Sequence, residues 1–349
     1  MKGWMVVAAN EPLEEIEMPT PVPQGSEVLV EVTHCGVCHS DLHFWKGEYN
    51  MGGGKAMPLS QRGVTLPRAP GHEIVGRVAA LGPDAHGVEI GDLRVVYPWL
   101  GCGECEECNS ERDNMCLVPR GIGVVRHGGF ASHVVVPHAR YLFDPGNVDP
   151  ALAATYACSG LTCYSAVSKV APLAAGKPVL IIGAGGIGLM MIAMLRAFDH
   201  DNIVVADIDP DKREMALAAG ASQVVDGNGD DLAARVIEAC GPVAVAFDCV
   251  NRDSTAQAAL TALAKGGKLV LVGVAGGELT LSLAGMIFRS HSVMGNLTGS
   301  PSDLRAVLAL ANAGKLEPTP ITCCPHDSAN QALLDLKQGK ISGRAVLVR

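Results

Sequence analysis

The segment 179–198 constrains the fold more than any other part of the chain. A short apolar run, Val179–Ile182, leads into Gly183-Ala-Gly185-Gly186-Ile187-Gly188 and then into the apolar stretch Leu189–Phe198. Strand, G-x-G-x-x-G and helix in this order predict the first unit of a parallel α/β sheet that binds a dinucleotide. The alternative of a membrane span is disfavoured, because the uncharged run 179–195 is shorter than the roughly 18–20 residues that a span needs and is interrupted by glycines.

The region after Leu161 alternates apolar strands with helical stretches. We predict strands at 179–182, 203–206, 223–225, 243–249 and 268–272, and helices at 188–198, 212–219, 232–239 and 255–263. Such alternation favours a doubly wound parallel sheet. Asp207 ends the second strand, where a carboxylate binds ribose hydroxyls and repels a 2′-phosphate, so NAD is predicted rather than NADP. The alternative is a glycine-rich turn that binds no nucleotide.

The two ends of the chain lack this regular alternation of strands and helices. Short strands divided by Gly, Pro and Asp turns are predicted at 27–33, 73–81, 92–98 and 133–137. After Gly295 we predict helices at 302–313 and 328–337 and a last strand at 345–348. The chain of 349 residues therefore has about two domains of mixed α/β class.

Charge and cysteine content limit the possible partners and the compartment. The net charge of −9 argues against a nucleic-acid partner. Met1 to Pro12 lacks the pattern of a secretory signal, so a cytoplasmic location is expected. Twelve cysteines in that compartment are more typical of metal binding than of disulfides.

Four cysteines lie close together in the sequence, with the spacing C-x2-C-x2-C-x7-C. They are Cys102, Cys105, Cys108 and Cys116. Four thiolates close a tetrahedral zinc shell with no open position, which predicts a structural zinc site. An iron–sulfur cluster and chance clustering of reduced cysteines are the alternatives. Cys38, His72, Glu73 and Cys158 are dispersed, and no spacing rule joins them; taken singly, each cysteine is more typical of a small buried residue.

Taken together, these motifs resemble the zinc-dependent alcohol dehydrogenases of the medium-chain dehydrogenase/reductase superfamily, and the tetrameric microbial enzymes most of all. The likeness rests on GVCHSDLH (36–43), APGHEIVGRV (69–78), ACSGLTCYSA (157–166), GAGGIG (183–188) and SGRAVL (342–347). It implies a GroES-like, β-rich catalytic domain at 1–158, an inserted Rossmann NAD-binding domain at 159–294, and a return to the catalytic domain at 295–349. It also implies a homotetramer or a dimer.

The resemblance assigns a catalytic zinc to Cys38, His72 and Cys158, with Glu73 close behind the metal and able to join its coordination. Asp41 is expected to orient His72, as such carboxylates do.

In this family Ser40 is expected to receive the proton of the alcohol, and His43 to pass it to solvent through the cofactor ribose. The alternative interpretation is that His39 and His43 are ordinary solvated surface residues, as single histidines usually are. The other implied NAD contacts are His39 at the pyrophosphate, Gly183, Gly185, Gly186, Ile187 and Gly188 in the turn, Asp207 and Lys212 at the adenosine ribose, and Val272 to Val274 beside the nicotinamide.

The implied reaction is reversible hydride transfer from an alcohol to NAD, giving a ketone or an aldehyde. Trp45 and Trp99 are predicted to line an apolar substrate pocket with Leu297 at its mouth. Because Ser40 is small, it leaves room near the zinc for a second substituent on the alcohol carbon. Both features favour secondary, cyclic or aromatic alcohols. Primary benzyl or allylic alcohols are the alternative. A polyol or threonine dehydrogenase is disfavoured because Cys158 stands where those enzymes often carry glutamate. A non-catalytic zinc- and nucleotide-binding protein is the rival of another class.

Three features depart from the family pattern. The loop between Trp45 and His72 is long, and we predict that it borders the substrate entrance or a subunit contact, with a solvated excursion as the alternative. Pro301 stands where relatives often have an arginine that contacts the cofactor, and Arg305 is a candidate substitute. Cys35 forms C-x2-C with Cys38 and is interpreted as packing rather than as a redox motif.

Overall fold

The computed structural model describes residues 1–349 and contains two large β-sheets, of six and seven strands. The strands are β1 (Lys2–Met5), β2 (Glu14–Glu17), β3 (Val28–Val37), β4 (Glu48–Asn50), β5 (Ala56–Pro58), β6 (Glu73–Leu81), β7 (Leu93–Val96), β8 (His133–Val136), β9 (Leu142–Phe143), β10 (Val179–Ile182), β11 (Ile203–Asp207), β12 (Gln223–Asp226), β13 (Val243–Asp248), β14 (Leu263–Leu271), β15 (Ser292–Gly295), β16 (Ile321–Pro325) and β17 (Arg344–Val348).

Eleven α-helices connect and cover these strands. They are α1 (His39–Lys46), α2 (Glu106–Asn109), α3 (Pro150–Thr155), α4 (Leu161–Ser168), α5 (Gly186–Ala197), α6 (Pro210–Ala218), α7 (Leu232–Cys240), α8 (Asp253–Ala262), α9 (Leu283–Arg289), α10 (Pro301–Asn312) and α11 (Ala329–Lys337). No helix combines the length and the apolar character that crossing a bilayer requires.

The six-stranded sheet is parallel and has the order β12-β11-β10-β13-β14-β15. This is the strand order of a doubly wound dinucleotide-binding sheet, in which ligands bind where the order reverses, here beside β10. The predicted strands and helices of this region are confirmed within a few residues, except that β14 begins five residues earlier, at Leu263. Helix α9 and strand β15 were not predicted. The buried strands are apolar on both faces because α-helices cover the sheet on each side.

The seven-stranded sheet brings distant parts of the chain to one edge. Antiparallel pairing of β3 with β6 aligns Gly36 with Glu73, and pairing of β17 with β3 aligns Ala345 with Val37. The residues at the adjoining strand ends, Cys38, His72 and Arg344, therefore meet. Register between strands, not spacing along the chain, creates this meeting point.

A five-residue π-helix, Tyr156–Gly160, joins α3 to α4 and is buried throughout. Its wider turn carries Cys158 towards the same strand ends, in keeping with the frequent occurrence of π-turns at functional sites. The sequence analysis did not predict this element or α1. It also did not predict the small hairpin β4–β5, which lies within the long loop before His72.

Candidate active site and metal centres

One group of metal-binding side chains lies at the end of β3 and β6. Ligand atoms of Cys38, His72, Glu73 and Cys158 all lie within 4.8 Å of one another, and all four residues are buried. The Sγ atoms of Cys38 and Cys158 are 3.9 Å apart. Two thiolates on one tetrahedral zinc are separated by about 3.8 Å, given a Zn–S bond of about 2.3 Å. The geometry thus fits one shared ion.

The imidazole of His72 has one ring nitrogen oriented by a neighbour and the other without a protein partner. Nδ1 is 3.4 Å from Oδ1 of Asp41, whereas buried Nε2 has no hydrogen-bond partner. Buried polar atoms are rarely left unpaired, so Nε2 is well suited to a metal ion. Burial opposes protonation of His72, but the Asp41 carboxylate and the Cys38 sulfur together outweigh it and raise the pKa of His72 to about 10.

Asp41 is itself held by the backbone on both sides of the site. Its carboxylate accepts the N–H of Cys38 at 2.9 Å and the N–H of Gly71 at 3.0 Å. One acidic side chain near the start of α1 therefore ties the Cys38 loop to the His72 loop. This places Asp41 where the sequence analysis expected an orienting carboxylate.

Behind the two thiols, Glu73 forms a buried ion pair with Arg344. Arg344 also lies against the glycine-rich turn, because a Cβ on Gly186 would collide with its side chain. Its positive charge contributes to the lowered pKa of Cys38, after the hydrogen bond from Cys158. Arg344 thus connects the group of Cys38, His72, Glu73 and Cys158 to the start of α5. Arg344 belongs to the motif SGRAVL (342–347), and the sequence predicted no role for it.

The second group is the four-cysteine lobe. The Sγ atoms of Cys105 lie 3.5 Å from Cys108 and 3.7 Å from Cys116, and Cys102 lies 4.0 Å from Cys108. These separations match a single tetrahedral ion and favour zinc over a larger iron–sulfur cluster.

Backbone N–H groups support charge on the sulfur atoms of this lobe. Cys116 Sγ accepts the N–H groups of Cys102 and Val118, both at 3.3 Å. Backbone hydrogen bonds at Glu104 and Cys105 lower the pKa of Cys102 to about 6. Thiolates are the metal-binding form, so the lobe is prepared for a cation.

The glycine-rich turn has the contacts that its spacing predicted. Gly183 has φ 94°, which favours glycine, and a Cβ on Gly188 would collide with the carbonyl oxygen of Gly183. Helix α5 begins at Gly186 after Gly185, so its free N–H groups face the turn beside half-buried Ile187. A helix N-terminus of this kind binds phosphate groups.

Acidic and basic side chains flank this turn. Asp207 Oδ2 accepts the N–H of Ala184 at 2.7 Å, which places the carboxylate directly beside the turn. His39 lies on the opposite side at the start of α1; burial lowers its pKa, and the charges of Arg344 and Lys212 lower it further. Lys212 is the third residue of α6. The cations near the turn are Lys212 and Arg344, and their charge suits a pyrophosphate.

The remaining predicted cofactor residues lie on the loop after β14. Val272 is half-buried and Val274 is exposed. The N–H of Val272 donates to the carbonyl oxygen of Asp248 at 2.9 Å, which holds this loop to the end of β13.

The two aromatic pocket residues predicted from sequence have different environments. Trp99 lies beside the metal group, with its ring 5.1 Å from that of His72 and its Nε1 bonded to the carbonyl of Ala157 at 3.0 Å. The prediction for Trp45 is wrong: it is buried in the core, and its ring packs beneath the ammonium of Lys337. Residues two apart on a helix point about 200° apart, so Trp45 faces away from the side occupied by His43.

Tyr49 occupies the place next to His43 instead. The two rings stack with centroids 5.1 Å apart. Ser40 and His43 are half-buried on α1. Burial, Lys46 and His39 lower the pKa of His43, so its imidazole is neutral near pH 7. The contact of Tyr49 with His43 was not predicted from the sequence. The one indication was that Tyr49 lies in the long loop between Trp45 and His72, which departs from the family pattern.

Arg305 does not replace the missing cofactor arginine. It pairs with Glu111 of the cysteine lobe at 3.3 Å and lies over the ring of Phe143. Pro301 is the first residue of α10, a favoured position for proline. Leu297 is exposed, and its carbonyl oxygen accepts a hydrogen bond from Asn114 of the lobe. Cys35 is fully buried and unpaired, as expected for a packing residue.

Comparison with known proteins agrees with this geometry. Residues 24–144 match the family model of the alcohol dehydrogenase GroES-like domain, and residues 186–313 match that of the zinc-binding dehydrogenase. An NAD-dependent alcohol dehydrogenase from Sulfurisphaera tokodaii is 35% identical, and the match covers 100% of both chains.

Solved structures show the same likeness. The alcohol dehydrogenase of Aeropyrum pernix superposes with a TM-score of 0.91 at 29% identity, over 100% of both chains. An acetophenone reductase from Geotrichum candidum, solved in complex with NAD, has a TM-score of 0.86 at 27% identity and covers 100% of this chain and 97% of its own.

Proposed function

The chain belongs to the family of zinc-dependent, NAD-linked alcohol dehydrogenases with a GroES-like and a Rossmann domain, and we propose that its substrates are secondary, cyclic or aromatic alcohols. Oxidation gives the ketone or the aldehyde, and the reverse reaction uses the same side chains. The observation that carries the proposal is the convergence of Cys38, Cys158 and the unpaired Nε2 of His72 within reach of one ion.

Cys38, His72 and Cys158 would hold the catalytic zinc, and Asp41 would keep His72 in the correct orientation. When bound, zinc lowers the pKa of an alcohol hydroxyl and NAD accepts the hydride. Glu73 is paired with Arg344, and this pairing keeps its carboxylate beside the thiols without requiring it as a permanent ligand.

Ser40 and His43 would move the proton. Both lie on α1, which begins directly after Cys38, so the helix fixes their distance from the metal group. The lowered pKa of His43 leaves its imidazole neutral and able to accept a proton near neutral pH. Ser40 is small enough to leave space for a substituent on the alcohol carbon.

The cofactor would lie across the cleft, with its pyrophosphate at the start of α5. Lys212 and Arg344 supply positive charge there, and His39 would contact the pyrophosphate as a neutral imidazole. Asp207 would bind the adenosine ribose, and Val272 to Val274 would follow the nicotinamide half.

Aromatic side chains support the substrate class. Trp99 lies next to His72, so a flat apolar surface borders the place where the alcohol carbon would react, whereas the ring of Tyr49 is occupied by its stack on His43. A relative of similar structure is an acetophenone reductase, whose named substrate is an aryl ketone. A flat apolar wall favours a substrate with a ring or two carbon substituents over a short primary alcohol.

The test is NADH formation with a panel of primary, secondary, cyclic and aromatic alcohols at saturating NAD. We expect the highest kcat/KM for secondary or aromatic substrates, and loss of turnover in Cys38→Ser. Cys35→Ser is the matched control, because that cysteine lies three residues away and is unpaired in the core. A preference for short primary alcohols, or equal turnover in Cys38→Ser, would contradict the proposal.

We further propose that the chain assembles with copies of itself, as a dimer or a tetramer. Strand β15 ends the six-stranded sheet with one edge unpaired. Helix α9, directly before it, exposes Leu283, Ile287 and Phe288, each 75% or more. Unpaired edges and apolar patches of this kind are usually covered. In sedimentation velocity we expect a multimer that Phe288→Glu dissociates; a monomeric wild type would refute the assembly.

The domain boundaries after residues 158 and 294 and a cytoplasmic location complete the proposal. All strands of the six-stranded sheet lie between Val179 and Gly295, so β15 ends one residue past the second boundary. All twelve cysteines are free, which suits a reducing compartment. Fractionation of source cells with an antibody against the chain tests the location.

A further inference from the structure

The long loop before His72 carries an aromatic side chain that contacts His43. The ring of Tyr49, on β4, stacks on His43 at 5.1 Å between centroids and an angle of 26°. The guanidinium carbon of Arg62 lies 5.1 Å from the centre of the same ring. Both His43 and Arg62 therefore contact the ring of Tyr49. His43 is thereby restrained on a side that α1 does not cover.

The other end of β4 is tied to the Rossmann domain. Asn50 Nδ2 donates to the carbonyl oxygens of Ala275 and Gly276, both at 3.3 Å. Gly52 at the hairpin tip is buried against Gly277, where a Cβ would come within 2.7 Å of the Gly277 carbonyl oxygen. The hairpin β4–β5 therefore packs against the loop that follows β14. Tyr49 is held by this contact, through its neighbour Asn50, and by Arg62.

The ring of Tyr49, and not its hydroxyl, is the group suited to act on His43. Burial raises the pKa of the hydroxyl above its ordinary value of 10, although Arg62 opposes the shift. The hydroxyl therefore stays neutral near pH 7 and is a poor proton acceptor. A ring face held in place instead restricts rotation of the imidazole, and proton transfer requires donor and acceptor within hydrogen-bond reach.

We propose that Tyr49 is a positioning residue whose ring, fixed by Arg62 and by the Asn50 contact, holds the imidazole of His43 where it accepts the proton from Ser40. The inference rests on the proposed function, because it presumes that His43 carries this proton. It assigns a role to the long loop: the loop couples proton release to contact between the two domains.

The first experiment detects the stack without turnover. In zinc-loaded protein labelled with ¹³C at histidine Cε1, the ring current of Tyr49 shifts the His43 signal, which is assigned by its absence in His43→Gln. We expect Tyr49→Leu to move this signal towards the position of an unstacked histidine and Tyr49→Phe to leave it nearly unchanged. An unmoved signal in Tyr49→Leu overturns the proposal.

The second experiment measures the consequence for proton transfer. At saturating NAD and alcohol we expect Tyr49→Leu to lower kcat about tenfold at pH 7, and to approach wild type near pH 10, where hydroxide takes the proton directly. Tyr49→Phe should retain kcat within about twofold. The titrating groups that face His43 are His39, Lys46 and Cys38 along α1 and its start, and Tyr49 with Arg62 from the loop.

Controls separate the possible explanations. Arg68→Ala, on the same loop, removes a side chain whose hydrogen bonds go to Thr65 and should leave kcat unchanged, whereas Arg62→Ala should lower it severalfold. Equal loss in Tyr49→Leu at every pH, or equal loss in Tyr49→Phe, overturns the positioning role. If the wild type turns over no alcohol, the proposed function fails, and the histidine signal still decides whether the stack exists.

Discussion

Replacing Arg344 by Gln tests the connection between the metal group and the cofactor cleft. Arg344 and Glu73 form a buried ion pair, with exposed fractions of 4% and 0%. Removal of one partner leaves an uncompensated buried charge, which costs about 3–5 kcal/mol of folding stability. Neutralising both partners leaves no uncompensated buried charge and costs less, about 1–2 kcal/mol. The double variant is therefore expected to be about 2–3 kcal/mol more stable than either single variant.

The assay is a double-mutant cycle with Arg344→Gln, Glu73→Gln and both together. Urea unfolding is followed at fixed protein and zinc concentrations, because bound metal and assembly shift apparent stability. We expect the double variant to be more stable than Arg344→Gln alone. If the single variant is as stable as the double variant, the buried pair does not exist and the reasoning is refuted.

The same variants report on the cofactor. The Arg344 side chain lies against Gly186, the first residue of α5, so its charge adds to that of the helix N-terminus. Loss of a charged hydrogen bond to phosphate corresponds to about 1.5–3 kcal/mol. Titration calorimetry should show NAD binding at least about tenfold weaker in Arg344→Gln. Glu73→Gln keeps the cation and should bind NAD as well as the wild type; equal affinity in all variants would place the pyrophosphate elsewhere.

Three further outcomes are expected. His43→Gln should lower kcat about tenfold to a hundredfold and abolish the acidic limb of its pH profile; since burial lowers the pKa of His43, that limb lies below the ordinary 6.5. If the acidic limb of the pH profile is unchanged in His43→Gln, a group other than His43 causes it. Cys105→Ser should remove one of the two zinc sites and lower the melting temperature, by metal analysis and calorimetry, because structural zinc contributes folding energy. Asp207→Asn keeps an acceptor for the Ala184 N–H but removes the carboxylate that would repel the 2′-phosphate of NADP. The ratio of kcat/KM with NAD to kcat/KM with NADP should therefore fall about tenfold. An unchanged ratio would show that another residue selects the cofactor.

Local patterns were enough for the parts of the molecule built from local contacts. The strand, glycine turn and helix at 179–198 interact with one another, so their spacing along the chain already specifies their geometry. The four cysteines of the lobe lie within 15 residues, and short loops bring their thiols together with little freedom to do otherwise. The alternation of strands and helices predicted the parallel sheet for the same reason.

The dispersed site could not be worked out from spacing. Cys38 and His72 meet because β3 pairs with β6 in one register, and Cys158 joins them through a π-turn that no periodicity indicates. Only the resemblance to a family connected the three beforehand. Pairing partners and register depend on the whole core, because a shift by one residue would turn every side chain to the other face of the sheet.

By itself, the sequence determined the fold class, the nucleotide-binding turn, the cysteine lobe and, through resemblance, the family. Tertiary structure decided which side chains face the cleft. Trp45 lies in the core, and Tyr49 stacks on His43. Arg305 pairs with Glu111, and Arg344 on the last strand lies against the start of α5. Except for the contact of Tyr49 with His43, these placements join residues more than a hundred positions apart. They depend on helix phase and strand pairing, which are set by packing of the complete chain.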